Sequence, residues 1–254
     1  MCTVVILRRP GHAWPVILGA NRDEMLNRPW LPPARHWEDR PDVVAGKDEL
    51  AGGTWMGLND TGVVACILNR HGTLGPAAGK RSRGELVLEA LDHPDAAAAA
   101  EALSEISPLA YRPFNLVIAD NRDAWWVALT DDKVRVKPIP TGISMFTAFE
   151  RNDPADPRIS TYLPRFEGAA VPDPDTKDWK SWRDLFATTL EKAGGGEGER
   201  AMSFRLPSGF GTSSSSLVAL PSAARAFSAD KVRPVWLFAA GAPDSTDYRP
   251  VDMS

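Results

Sequence analysis

The sequence predicts an α+β fold of two largely antiparallel sheets, each with a helical layer on its outer side. Two observations predict it. Short apolar runs bounded by turn residues come in blocks before any helical stretch intervenes. The resulting order is strands, helices, strands, helices, strands, which is not the one-to-one alternation of a doubly wound parallel sheet. The chain has 254 residues, 43% of them hydrophobic and 24% charged, enough apolar material for a substantial core. Neither an internal repeat nor a long linker divides it, so a single domain is expected over residues 1–254.

Thr3–Leu7 and Trp14–Ala20 are nearly continuous apolar runs, as strands covered on both faces require, with a turn over Arg9-Pro10-Gly11 between them. Asn27–Asp48 carries Pro29, Pro32, Pro33 and Pro41 among charges and reads as a long surface excursion. Thr54–Leu58 and Gly62–Leu68 flank the turn signal Asn59-Asp60 and predict a hairpin. Ser82–Leu91, with Leu86, Val87, Ala90 and Leu91 on one side, and the alanine-rich Asp95–Ile106 predict two helices. Phe114–Ala119 and Ala124–Leu129 form a second hairpin around Asp120–Asp123, followed by strands at Val134–Pro138 and Ile143–Phe149. Pro157–Phe166 and Trp179–Lys192 are expected to be helical, the latter stopped by Gly194-Gly195-Gly196. Ser216–Leu220, Ala226–Ser228 and Val235–Ala239 close the chain as strands.

Several function classes are disfavoured. The net charge is −4 and the basic residues are scattered, which leaves no nucleic-acid footprint. Two cysteines, Cys2 and Cys66, make no disulfide framework and point to a reducing compartment. The N-terminal apolar runs are too short for a secretion signal or for a membrane span of about 20 residues, so a cytoplasmic location is expected. His12, His36, His71 and His93 lie far apart, with no metal-ligand spacing, and no phosphate loop or dinucleotide fingerprint occurs. No metal or cofactor is expected.

The residue that carries chemistry is Cys2. Methionine aminopeptidase removes Met1 when the next side chain is small, and that would leave Cys2 with a free α-amine and a thiol. These are the two parts of an N-terminal nucleophile: the amine accepts the proton and the sulfur attacks a carbonyl. The amine titrates at about 7.7–8.0 and a free thiol at about 8.5, so one nearby cation brings the pair into range. Asn21-Arg22-Asp23-Glu24 follows the second apolar run, read as the place where that strand ends. If the first two strands form an antiparallel hairpin, this run lies beside Cys2. Arg22 would then favour the thiolate, and a carboxylate would hold the α-ammonium. Strand alternation puts Asn21 and Asp23 on one face and Arg22 and Glu24 on the other, so Arg22 and Asp23 both reach the sulfur only if the strand bends. The plainer reading is a turn that exposes charge.

Gly52-Gly53-Thr54-Trp55 lets backbone approach a ligand, or simply starts a tight strand, with Trp55 either core or pocket. Asn69, where the hairpin leaves the sheet, is placed to donate its amide to a developing oxyanion. Arg83-Gly84-Glu85-Leu86 opens a helix, and the serine run Ser213–Ser216 is a turn or the lining of a polar pocket. Cys66 reads as a buried hydrophobe.

Met1-Cys2, Ala20-Asn21-Arg22-Asp23-Glu24, Gly52-Gly53-Thr54-Trp55, Asn69, Arg83-Gly84-Glu85-Leu86, Phe114-Asn115-Leu116, Ala119-Asp120 and Gly211-Thr212 stand in the order of one family. The chain resembles the NRDE family, also called the transport and Golgi organisation protein 2 family, from Cys2 to about Leu220. That resemblance implies a branch of the N-terminal nucleophile hydrolases, whose fold is a four-layer αββα sandwich. It also implies chemistry like that of the cysteine-type linear amide hydrolases. On it, Cys2 is the nucleophile, Arg22 and Asp23 (or Glu24) give electrostatic support, and Asn69 is an oxyanion donor. Asn21, Glu24, Trp55 and Ser213 are taken as substrate-side residues, and Trp30, Trp37 and Trp55 favour an apolar acyl group on a small-molecule substrate. An arginine commonly follows the late Gly-Thr pair in the family, where this chain has Ser213. The Thr147-Ala148-Phe149 stretch also lacks the family's Ser-Asn pair, so by the resemblance a second oxyanion donor is either missing or shifted to Asn152. The alternative is a non-catalytic carrier that keeps the fold and binds haem or lipid as cargo. A thiol that is merely buried or acylated ranks below both.

Overall fold

The computed structural model describes residues 2–190 and 201–254. In chain order the strands are β1 (Thr3–Arg8), β2 (Val16–Met25), β3 (Trp30–Ala34), β4 (Val43–Asp48), β5 (Met56–Asn59), β6 (Val64–Asn69), β7 (Phe114–Ala119), β8 (Ala124–Thr130), β9 (Lys133–Pro138), β10 (Gly142–Phe146), β11 (Phe210–Leu220), β12 (Val235–Ala239) and β13 (Arg249–Pro250). The helices among the described residues are α1 (Gly84–Leu91), α2 (Ala96–Ser104), α3 (Pro157–Gly168), α4 (Lys180–Phe186) and α5 (Ala223–Ala226). The chain divides into two compact units, one of Met1–Arg28 with Thr141–Val251, the other of Pro29–Pro140 with Asp252–Ser254. The class is α+β, with an antiparallel sheet in each unit.

The first unit holds the sheet β10-β1-β2-β11-β12-β13. On one face Val5, Leu7, Ile17, Leu217 and Ala219 pack with Ile159, Tyr162 and Phe166 of α3 and Trp182 and Phe186 of α4. The ring centroids of Phe166 and Trp182 are 5.3 Å apart and those of Phe166 and Phe186 are 5.2 Å apart. Gly19 is dictated by this packing, because a Cβ there would stand 2.2 Å from Phe186 Cε2. Gly19→Ala is expected to cost about 1–3 kcal/mol in a denaturant titration, the usual penalty for overpacking a filled core. Helix α3 starts where Asp156 accepts hydrogen bonds from the Arg158 and Ile159 amides, with Pro157 in the first turn. Asp156 is itself held by the Thr147 hydroxyl.

The second unit holds β3-β4-β5-β6-β7-β8-β9, with α1 and α2 packed on one face through Leu86, Val87, Ala90, Leu91, Ala99 and Leu103. Three of the sequence motifs have structural roles here. A Cβ on Gly53 would lie 2.6 Å from the Gly84 carbonyl carbon, and one on Gly84 would lie 2.9 Å from the Thr54 oxygen. The Gly-Gly-Thr-Trp segment and the start of α1 therefore touch backbone to backbone, sealed by Thr54 N–H to the Gly84 carbonyl at 3.1 Å. Asp120 shapes its turn by accepting from the Arg122 and Asp123 amides at 2.7 Å each, and its other oxygen accepts from Ala96 N–H at the start of α2 at 2.9 Å.

Tyr111 is buried in this unit. Burial first, and the Glu85 carboxylate next, push its phenol up to about 12, against the lowering effect of Arg81. The folded state thus keeps a proton that the unfolded chain loses near pH 10, so the stabilisation is complete below about pH 10 and is lost as pH rises towards 12. Tyr111→Phe is expected to remove that part of the alkaline slope when denaturation midpoints are compared across this range.

The chain differs from the sequence expectations in several places. The supposed surface excursion Asn27–Asp48 contains β3 and β4; Pro32 and Pro33 are tolerated because β3 is an edge strand whose register shifts between Leu31 and Ala34. β2 runs on to Met25 rather than stopping at Ala20. β11 begins at Phe210 and takes in the whole serine run. Residues 223–226 form the short helix α5, capped by the Ser222 hydroxyl, where a strand was expected at Ala226–Ser228. The helix expected to run from Trp179 to Lys192 ends at Phe186, and residues 187–190 leave it because the Thr188 carbonyl accepts from the Met202 and Ser203 amides at 3.0 Å each. The glycine stop at 194–196 falls outside the described residues. Among the described residues no helix is long and apolar enough to cross a membrane.

Candidate active site

The β1–β2 pairing sets Thr3 opposite Asn21 and Val4 opposite Ala20, so Cys2 comes to the Arg22–Asp23 stretch. The Asp23 amide donates to Cys2 Sγ at 3.3 Å, and the thiol points back to the Asp23 carbonyl at 3.4 Å. Both contacts are made by main chain. Cys2 remains partly accessible at the surface.

The Asn-Arg-Asp-Glu run stays in the strand because each of its first three side chains finds a partner that replaces water. Asn21 donates to the Phe186 and Met202 carbonyls at 3.0 and 2.8 Å and accepts from the Ser215 hydroxyl at 2.6 Å. Arg22 Nη1 donates to Ser213 Oγ at 3.0 Å, and that hydroxyl donates to the Arg22 carbonyl at 3.1 Å. A register shift between Thr212 and Ser214 makes Ser213 an extra residue in β11 and frees it for this double contact. The Asp23 carboxylate accepts from the Thr212 hydroxyl at 2.8 Å and from Arg158 Nη1 at 3.0 Å. Glu24 turns elsewhere, accepting from the Met25 amide at 2.8 Å and standing 3.9 Å from Arg28 Nε. Of the two carboxylate residues, it is therefore Asp23 whose chain meets the sulfur, and it does so through its peptide groups.

Burial first, and the Asp23 carboxylate second, push the Cys2 thiol up; the Asp23 amide and the Arg22 charge pull it down without reversing the shift. The resting thiol is neutral at pH 7.

Asn69 and Trp55 belong to the second unit. Asn69 is half-buried and closes β6 opposite Phe114. Trp55 meets Trp30 edge-on at 5.6 Å, and its ring fills the space over Gly46, where a Cβ would lie 2.4 Å away. Asn152 has φ 56° and its Oδ1 accepts from the Met145 amide at 2.6 Å, so that side chain ties down the turn after β10. Sequence reasoning missed Arg158. It stands 135 residues from Asp23 in the chain, and the sequence marked only the helix expected over Pro157–Phe166 in which it lies.

A family model described as Transport and Golgi organisation 2 matches residues 1–155, more than half of the 254-residue chain. The chain belongs to the Transport and Golgi organisation 2 family. A homologue of that name from Bos taurus is 36% identical over 115 residues, 43% of this chain and 40% of its own length. One from Homo sapiens is 35% identical over 119 residues, with the same shares. The match thus takes in less than half of these family members. Among solved structures, the Caenorhabditis elegans N-acylethanolamine-hydrolyzing acid amidase ortholog aligns with a TM-score of 0.56 at 13% identity, over 85% of this chain and 92% of that one. Penicillin V acylase from Agrobacterium tumefaciens aligns at 0.53 and 14% identity, over 99% and 86%. A C2A mutant of the conjugated bile acid hydrolase from Clostridium perfringens aligns at 0.51 and 12% identity, over 99% and 97%. At such identities the likeness shows the fold alone. This family member has the fold of the N-terminal nucleophile hydrolases, as its motifs implied.

Proposed function

We propose that this chain is a cysteine N-terminal nucleophile hydrolase that cleaves a non-peptide C–N amide bond of a small acylated substrate. The observation that supports it most is the grip on Cys2 Sγ by the Asp23 peptide groups, at the start of β1 in a fold of this class. Met1 lies outside the described residues; its removal would place an α-amine on the same Cα as the thiol.

The proton then passes from Sγ to that amine, and the Asp23 N–H and the Arg22 charge favour the sulfur anion left behind. Sulfur attacks the amide carbon, forming the S–C bond and moving the carbonyl electron pair onto oxygen. Collapse breaks the C–N bond, with the ammonium proton going to the departing amine. Water cleaves the thioester, releasing the acid and restoring the thiol. Asn69 is the oxyanion donor the family resemblance suggests; Asn69→Ala is expected to lower kcat by about 10²–10³-fold with little change in KM.

Chromogenic acyl anilides test this reading. Met1-free protein, verified by intact mass, should release free acid and aniline in equal amounts. If a panel of acyl chain lengths gives no turnover while haem titration gives a Soret shift that survives Cys2→Ala, the carrier reading replaces it.

A further inference from the structure

We propose that Arg158 is a positioning residue for Cys2, clamping β1 to β2 at the thiol and neutralising the carboxylate beneath it. The proposal rests on Cys2 being the reactive thiol. A single guanidinium nitrogen, Nη1, donates to Thr3 Oγ1 at 2.8 Å and to Asp23 Oδ2 at 3.0 Å. Thr3 is the residue after Cys2, and Asp23 is the residue whose N–H and C=O hold the sulfur, so one side chain joins the two segments that fix Sγ. Arg158 is itself immobilised. Its backbone amide is held by Asp156 in the first turn of α3, and its guanidinium lies 5.6 Å from the centroid of the Phe204 ring.

The pair is wholly enclosed, with side chains 3% and 0% exposed. Burying two charges is costly, and well-packed apolar residues in their place are commonly neutral or stabilising. Stability alone therefore does not account for an ion pair here. The charges that bear on the thiol do. Arg22 and Asp23 reach it from β2, with opposite effects, and Arg158 from α3 acts through Asp23. Taking away Arg158 removes a cation from the carboxylate next to the sulfur; taking away the carboxylate leaves that cation in its place.

The test is the pH dependence of Cys2 alkylation by iodoacetamide, read on the N-terminal peptide so that Cys66 does not contribute, with the same N-terminal form in every sample. Arg158→Met should raise the Cys2 midpoint by about one unit, a roughly tenfold slower alkylation at neutral pH. Asp23→Asn should move it down, and Arg158→Lys should keep it within a few tenths. The charge-free double variant D23N/R158M should return it to near the starting value, and it serves where a single variant does not fold. A merely structural pair would shift both single variants in the same direction or neither. Equal shifts, or a double variant as slow as Arg158→Met, overturn the proposal. Alkylation needs no turnover, so a protein that cleaves no amide yet shows the opposed shifts loses the hydrolase reading and keeps this one.

Discussion

Cys2→Ala should abolish covalent capture of an electrophilic amide or lactone probe, slowing labelling by about 10³-fold or more, while Cys66→Ala leaves the rate unchanged within about twofold. Cys66 is buried in β6, which slows a probe's access to it. Cys2 is partly accessible and held by two main-chain groups. The pH profile gives the sign. With Met1 retained, burial and the Asp23 carboxylate hold the thiol up, so labelling climbs with pH through and beyond the ordinary thiol range. With Met1 removed, the adjacent amine takes the proton and the climb moves to lower pH. A profile that is identical in both forms would separate the amine from the chemistry.

The second large effect is on stability. Asp23→Ala removes the carboxylate that the enclosed Arg158 guanidinium pairs with and takes from the Thr212 hydroxyl its nearer acceptor, leaving it the Met202 carbonyl at 3.4 Å. The expected loss is about 3–5 kcal/mol, of the order found when one partner of a buried pair is removed. At that cost the melting temperature of a chain this size falls by on the order of 10 °C. The control is the matched neutral pair D23N/R158M, which removes both charges and should stay within about 1–2 kcal/mol of the parent. Scanning calorimetry on the three proteins decides it: an Asp23→Ala midpoint close to the parent's would mean that the carboxylate is hydrated and the enclosed network does not exist in solution.

The strands that build the first hairpin were legible because apolar runs on both sides of Arg9-Pro10-Gly11 admit little else. The end of β2 was not, since polar residues ordinarily mark the place where a strand meets water. Here Asn21, Arg22 and Asp23 stay in the sheet because carbonyls from residues 186 and 202, the Ser213 hydroxyl and the Arg158 guanidinium replace that water. All of those partners are tertiary and distant in the chain. The same holds for the serine run, whose hydroxyls bond β2 and Trp236 inside a strand instead of looping out. Prolines misled at β3, because an edge strand does not need every amide. Family motifs pointed to Cys2 and to the run that meets it, and they also marked packing contacts, such as the backbone seal between Gly53-Thr54 and Gly84. Arg158 could not be read at all: no spacing rule links a helix's first turn to a strand 135 residues earlier.

The most direct test of the account is single-turnover mass spectrometry of Met1-free protein mixed with an activated acyl amide and quenched in acid. The account predicts one added acyl group, localised on the N-terminal Cys2 peptide, appearing with the released amine and decaying as water cleaves the thioester. A fully processed chain that releases amine with no adduct on Cys2, or that carries the acyl group on another residue, would contradict it.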